Sequence, residues 1–153
     1  TSPARAARGG PTMASTVREI LDRKPDVYAV RPEDTVYDAL QLMAEKNIGA
    51  VLVMNGDEIK GIFSERDYAR RAVQGDTSRD TPVGSLMTAN IVSIEPTATV
   101  DACMPLMTNK RIRHLPVVEG GRVVGVVSIG DIVRAVVEEQ QFTIRSLENY
   151  VTS

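Results

Sequence analysis

The chain has 153 residues, of which 42% are apolar and 25% charged, as expected for one soluble globular domain or two small units that share a core. Its 18 basic and 20 acidic residues form no basic block that would favour a nucleic-acid partner, and no apolar run approaches the ~20 residues that cross a membrane. Cys103 is the only cysteine, which excludes an internal disulfide and fits a cytoplasmic location.

The sequence opens with a segment that predicts no regular structure. Residues 1–14 are small, rich in proline and glycine, and without hydrophobic period, so we expect a disordered tail. Met13 could be the natural start, with an added leader before it.

The next part of the chain predicts a strand, a helix, a hairpin and a second helix. Thr35 is placed to cap the first helix, and Asp38 completes a capping-box pattern. Asn55-Gly56 between two apolar runs is a strong hairpin signal. The expected elements are a strand over 27–30, a helix from Thr35, hairpin strands over 50–54 and 58–63, and a helix from Ser64.

The same order of elements returns after a polar linker over 72–82. Pro105 interrupts the expected helical face of the second copy, so we expect a kink or a late start of that helix. Cys103 lies on this face as a buried apolar filler rather than a reactive thiol. The expected elements are a strand over 91–94, a helix from Thr99, hairpin strands over 115–119 and 122–127, and a helix from Ser128 toward Tyr150.

The two copies are two instances of the same sequence repeat. A shift of 64 residues places residues 27–70 on residues 91–134, and 13 of the 44 aligned pairs are identical without a gap. Each copy is too short to bury its own apolar faces. We therefore expect a first repeat over 15–71, a second over 83–137, and a helical extension over 138–153.

Each repeat carries the pattern Gly-x-x-Ser-x-x-Asp, and two interpretations of it stand. Ser-x-x-Asp at a helix start is a capping box that needs no ligand. A helix N-terminus also attracts anions, so the serine could meet a phosphate while the aspartate accepts hydrogen bonds from a ribose diol.

These features resemble the CBS domain, named after cystathionine beta-synthase, and two in tandem resemble a Bateman module. The resemblance covers about residues 16–137 and rests on Gly61–Asp67, Gly125–Asp131 and Arg111–Val118. It implies a mixed α/β (α+β) fold of two β-α-β-β-α repeats packed with pseudo-twofold symmetry, followed by the helical extension. It also implies clefts between the repeats that hold AMP, ADP, ATP, NAD or S-adenosylmethionine, homodimerisation, and regulation of a separate, unknown protein partner.

The resemblance assigns unequal sites to the two repeats. In the second repeat, the expected nucleotide site comprises Arg113, His114, Pro116, Ser128 and Asp131. In the first repeat, it comprises Gly49, Ala50, Ser64, Arg66 and Asp67. Because Gly49-Ala50 replaces Arg113-His114, the first site lacks its own phosphate clamp. Arg66 could substitute or could be a surface residue, and Arg113-His114 could likewise be a solvated strand edge.

The sequence therefore predicts a sensor of adenine nucleotides rather than an enzyme. His114 is the only histidine, and no P-loop or clustered metal ligands appear, so no catalytic or metal residues and no catalytic cofactor are assigned. We expect neither a nucleic-acid nor a membrane partner. In such a sensor the segment from Glu138 to Tyr150 could contact the partner chain or a second copy, or instead fold back on its own core. The alternative is a structural dimerisation module with empty clefts.

Overall fold

The computed structural model describes residues 15–24, 26–75 and 79–152, so the tail expected over 1–14 lies outside the described residues. The described residues form five α-helices and two small sheets. The mixed α/β fold of two similar repeats with a C-terminal helix is confirmed. The chain divides into two compact units, one of residues 26–92 and one that joins residues before 26 to residues 93–153.

The unit of residues 26–92 is a three-stranded sheet covered by helices. Strand β1 pairs parallel with β2, and β2 pairs antiparallel with β3. The elements are β1 (Ala29–Val30), α2 (Val36–Lys46), β2 (Ala50–Asn55), β3 (Glu58–Ser64), α3 (Glu65–Val73) and a 3₁₀ turn (Val83–Ser85). Its core is apolar and consists of Val36, Ala39, Met43, Val51, Val53, Phe63, Val83 and Leu86.

Thr35 caps α2 as predicted, because its hydroxyl accepts from the backbone N–H of Asp38 at 3.1 Å. The hairpin is also confirmed, with Gly56 and Asp57 as the two loop residues between paired Asn55 and Glu58. Gly56 has a φ of 64°, which a residue with a Cβ adopts only with strain.

The end of this unit returns to β3. Ile62 and Thr88 exchange both backbone hydrogen bonds, at 3.0 and 2.8 Å. A Cβ on Gly61 would lie 2.5 Å from the carbonyl oxygen of Thr88, so the close approach of these two backbone segments requires glycine.

The other unit contains a two-stranded sheet and three helices. Its elements are α1 (Val17–Arg23), α4 (Val100–Lys110), β4 (His114–Glu119), β5 (Arg122–Ser128) and α5 (Ile129–Thr152). Strands β4 and β5 are antiparallel and meet at Gly120-Gly121, which both have positive φ. Helix α4 packs against α5. The strand predicted over 91–94 is wrong: Ile94 alone forms a parallel bridge to Val117, because only its own backbone reaches β4.

The structure of α4 differs from the prediction made for Pro105. A late start is wrong, because α4 begins directly after Thr99, whose hydroxyl accepts from the N–H of Ala102 at 3.2 Å. Pro105 lies inside the helix on its exposed side, where a proline removes one backbone hydrogen bond. Cys103, on the opposite side, is fully buried as predicted.

Helix α1 belongs to the same unit as the second repeat. The N–H of Val17 donates to the carbonyl of Ala98, and the N–H of Val100 donates to the carbonyl of Ser15, at 2.8 and 2.9 Å. Leu21 is buried over Gly125 of β5, where a Cβ would collide with its methyl groups. The first residues of the first repeat thus cover the hairpin of the second.

Candidate functional site

The second-repeat motif lies where β5 ends and α5 begins. Ser128 precedes the helix, and its N–H donates to Oδ2 of Asp131 at 2.8 Å. The N–H of Asp131 donates in return to Oγ of Ser128 at 3.1 Å. These reciprocal bonds form the capping box that the sequence pattern predicts, with the carboxylate at the positive end of the helix dipole.

The strand register brings the predicted clamp residues to this helix start. His114 lies directly opposite Ser128 in the antiparallel pair, and the carbonyl of Arg113 accepts from the N–H of Ile129 at 2.8 Å. The side chain of Arg113 is exposed, and that of His114 is half-buried. Pro116 lies two positions further along β4 and is buried opposite Val126. Four of the five predicted residues therefore share one edge, and Pro116 lies deeper.

Two cations that the sequence did not indicate contact Asp131. The ammonium of Lys24, the residue after α1, lies 2.7 Å from Oδ2, and the guanidinium of Arg134 lies 3.5 Å from Oδ1. Arg134 follows Asp131 by three positions, so helical spacing could have indicated it. Lys24 is 107 positions away in the sequence, and no local pattern points to it.

This environment keeps Asp131 ionised. Its side chain is only 12% exposed, and burial alone would raise the pKa of the carboxyl. Hydrogen bonds from Lys24 and Ser128, together with the charge of Lys24, outweigh burial and hold this pKa below its ordinary value.

Asp131 also borders a cleft of about 170 Å³ that is walled on one side by α1. Charged groups of both signs line it, and Arg23 forms an ion pair with Glu138 at 3.0 Å. The lining residues are Ser15, Glu19, Ile20, Arg23, Lys24, Asp131, Arg134, Ala135 and Glu138. All of them belong to one compact unit.

The first-repeat motif has the same capping geometry. The N–H of Ser64 donates to Oδ2 of Asp67 at 2.9 Å, and the N–H of Asp67 donates to Oγ of Ser64 at 3.2 Å. Ala50 lies opposite Ser64, and the carbonyl of Gly49 accepts from the N–H that begins α3. Arg66 lies in the first turn of α3 with an exposed side chain.

The hydrogen-bond partner of Asp67 from outside its own motif carries a neutral hydroxyl instead of a positive charge. Oγ1 of Thr88 donates to Oδ1 of Asp67 at 3.2 Å. Thr88 and Lys24 are equivalent under the 64-residue shift of the repeat. Each motif aspartate thus contacts a residue near the start of the other repeat, a threonine at the first motif and a lysine at the second.

Over residues 15–24, 26–75 and 79–152, no three His, Cys, Asp or Glu side chains are grouped so that they could hold a metal ion. None of the helices described is long and apolar enough to span a membrane.

Comparison with known proteins gives a family model that matches twice. The model for the CBS domain matches residues 17–73 and 83–138. The mitochondrial CBS domain-containing protein CBSX3 of Arabidopsis thaliana is 43% identical over 78% of this chain. The chain spans 61% of the length of that relative.

Solved structures give the same result at the level of the fold. A protein with CBS domains from Burkholderia ambifaria MC40-6 has a TM-score of 0.78 and 50% identity, covering 85% of this chain and 99% of its own. CBSX2 in complex with AMP has a TM-score of 0.68 and 25% identity, covering 82% of this chain and 98% of its own.

Proposed function

Because the chain belongs to the CBS-domain family, we propose that it is a regulatory module that binds an adenine nucleotide and acts on a separate protein partner. The observation that carries this proposal is the second-repeat edge, where Ser128 and Asp131 start a helix directly opposite His114. Such an edge offers hydrogen-bond donors for a phosphate beside a carboxylate that can accept from a ribose diol.

The similar CBSX2 structure supports the ligand class, because that protein was crystallised with AMP. AMP, ADP, ATP, NAD and S-adenosylmethionine share an adenosyl group with a ribose diol. The proposal therefore assigns Asp131 to the diol, and Arg113, His114 and Ser128 to the phosphate of the four ligands that carry one; S-adenosylmethionine has none. Asp67 and Ser64 take the same parts in the first repeat, with Gly49, Ala50 and Arg66 around them.

A role without catalysis belongs to the same proposal. The proposal assigns the only histidine, His114, to the ligand phosphate and not to the role of a base beside a nucleophile. Incubation with ATP and with NAD, followed by separation of the nucleotides, tests this role, and any turnover would contradict it. We also propose a cytoplasmic location, although the Arabidopsis relative is described as mitochondrial.

Nucleotide binding is tested by a thermal-shift panel of the five adenosyl ligands. A ligand at 100 times its dissociation constant should stabilise the folded state by about 2.7 kcal/mol. The double change Arg113→Ala with His114→Ala should weaken the second-repeat site by more than about tenfold, because both charge-assisted donors to the phosphate are lost. Arg122→Ala, an exposed arginine at the far end of the same hairpin, should leave binding unchanged. No shift with any ligand would contradict the proposal.

The alternative function is a structural module that holds two copies together. One observation favours it: α5 leaves Phe142, Ile144 and Leu147 exposed by 45%, 56% and 60%. In that case the chain would self-associate, and the same ligand panel would leave its unfolding temperature unchanged.

A further inference from the structure

The ammonium of Lys24 occupies an acceptor position that a ribose diol would need. Oδ2 of Asp131 already accepts from Nζ of Lys24 at 2.7 Å and from the N–H of Ser128 at 2.8 Å. A carboxylate oxygen has about two lone-pair positions, so both are used. A diol that donates to both carboxylate oxygens must therefore displace one donor. The donor of Ser128 is fixed in the backbone, which leaves Lys24.

Lys24 is able to leave. Its side chain is 40% exposed, whereas that of Asp131 is 12% exposed. Its backbone is held separately, because its N–H donates to the carbonyl of Leu21 at 3.0 Å. The flexible four-carbon stem can move the charge while α1 stays in place.

The displaced ammonium needs a new partner, and the ligand decides whether it finds one. A nucleoside brings only the diol, so the ion pair between Lys24 and Asp131 is lost without replacement, and of the two cations at Asp131 only Arg134 stays. A nucleotide also brings a phosphate, and a lysine is a strong point-charge partner for phosphate. The same lysine thus opposes binding of a nucleoside and supports binding of a nucleotide.

The first-repeat motif provides the internal contrast. Thr88 donates a hydroxyl to Oδ1 of Asp67, and a hydroxyl can rotate and both donate and accept without moving a charge. No charge exchange of the kind available to Lys24 exists at that contact.

Resting on the nucleotide-binding function proposed above, we infer that Lys24 sets the preference of the second-repeat site for nucleotides over nucleosides. The ammonium leaves Asp131 when the ribose diol binds and then pairs with the ligand phosphate. Lys24 is in this sense a selectivity residue supplied by the start of the other repeat.

The test is a titration with AMP and with adenosine followed by amide NMR. Amides of residues 128–132 report the second-repeat site, and amides of residues 64–68 report the first-repeat site in the same sample. The variants are Lys24→Thr, which copies Thr88, and Lys24→Met, which keeps the stem without the charge. Lys60→Met, at an exposed ion pair with Glu58, is the matched control.

At the second-repeat site, both Lys24 variants should bind adenosine about threefold more tightly and AMP about threefold more weakly, since an ion pair of this exposure changes an equilibrium by a few-fold. The dissociation constant for adenosine divided by that for AMP then falls about tenfold. This ratio should not change at the first-repeat site or in the control variant.

An unchanged ratio in the Lys24 variants, or an equal change for both ligands, overturns the selectivity role while leaving nucleotide binding intact. Absence of any AMP-dependent shift at residues 128–132 of the unaltered chain overturns the proposed function itself, and this inference with it.

Discussion

At the scale of single residues, Asp131 stabilises the start of α5 and also presents a carboxylate to a cleft. The backbone N–H of Ser128 holds one side of the carboxylate, and Lys24 balances its charge. A carboxylate at 12% exposure would otherwise lose hydration without compensation. The same contacts that stabilise the fold therefore keep the group ionised and oriented.

Asp131→Asn should destabilise the protein in a pH-dependent way. The pKa of Asp131 is lower in the folded chain than in the unfolded one, so its contribution is complete above the unfolded pKa and is lost as pH falls through the folded pKa. We expect the variant to be about 1 kcal/mol less stable at pH 7, with the difference vanishing toward pH 2. Urea unfolding at several pH values measures this difference in the free energy of unfolding, with Asp57→Asn in the exposed hairpin loop as control. A difference that does not vary with pH would contradict this explanation.

Cys103 should be unreactive in the folded protein. Burial raises the pKa of its thiol to about 11, so almost no thiolate exists at pH 8. Stability attributed to the neutral thiol is fully present below the unfolded pKa and is lost as pH rises through about 11. Iodoacetamide at pH 8 should label the chain in urea and not in buffer. Rapid labelling of the folded chain would show that the thiol is accessible.

At the scale of elements, the sequence predicted what depends on local chemistry. Thr35 and Ser64 cap their helices because a serine or threonine hydroxyl satisfies a free N–H wherever a helix starts. The failures are at Ile94 and Pro105. Whether residues 91–94 form a strand depends on which neighbour reaches them. Helix α4 continues through Pro105, which lies on its exposed side.

The two motif glycines, equivalent by sequence, should respond differently to alanine. A Cβ at Gly61 would meet the Thr88 carbonyl, which is fixed by two backbone hydrogen bonds. A Cβ at Gly125 would meet the methyl groups of Leu21, which can change rotamer. Overpacking costs about 1–3 kcal/mol, so we expect Gly61→Ala near the upper limit and Gly125→Ala near the lower.

Gly130→Ala is the control for this pair. The nearest atom to a Cβ there, Oγ of Ser128, is 3.6 Å away, and an exposed helical glycine replaced by alanine should stabilise by about 0.5–1 kcal/mol. Chemical unfolding of the three variants gives the order. Equal losses at Gly61 and Gly125 would show that the two close approaches are equally rigid.

Candidate site residues on one hairpin were predictable for a similar reason. The turn at Gly120-Gly121 brings His114 to the end of β5, and an irregularity between Val117 and Val118 shifts the pairing by one residue, which places His114 opposite Ser128. Lys24 was not predictable, because its contact with Asp131 depends on where α1 packs. That position is set by the burial of Val17 and Leu21, and apolar residues do not identify their partners from the sequence.

At the scale of the whole molecule, the end of α5 carries an apolar face that is largely exposed to solvent. Val137, Ile144, Leu147 and Val151 are spaced by seven, three and four residues, and their exposed fractions range from 44% to 81%. This is the spacing of one helical stripe that pairs with another helix. We expect two copies of the chain to associate through it.

Ile144→Glu with Leu147→Glu should therefore convert a dimer into a monomer with little loss of folded stability. Two charges in a buried helix–helix seam should weaken association by at least about a hundredfold. Light scattering coupled to size-exclusion chromatography gives the mass, and Thr143→Glu beside the stripe is the control. A monomeric unaltered chain, or a double variant that stays dimeric, would contradict this role of α5.

Each copy contributes a residue near its start to the motif of the other copy, and this has a consequence for a single copy. Lys24, near the start of the first copy, contacts the aspartate of the second, and Thr88, near the start of the second copy, contacts the aspartate of the first. A single copy that kept this arrangement would need the leading segment of a second molecule to complete its motif. With two copies in one chain the contact is intramolecular, and the two contacting residues can differ, as lysine and threonine do here. Deleting either copy today would leave the survivor with an incomplete motif.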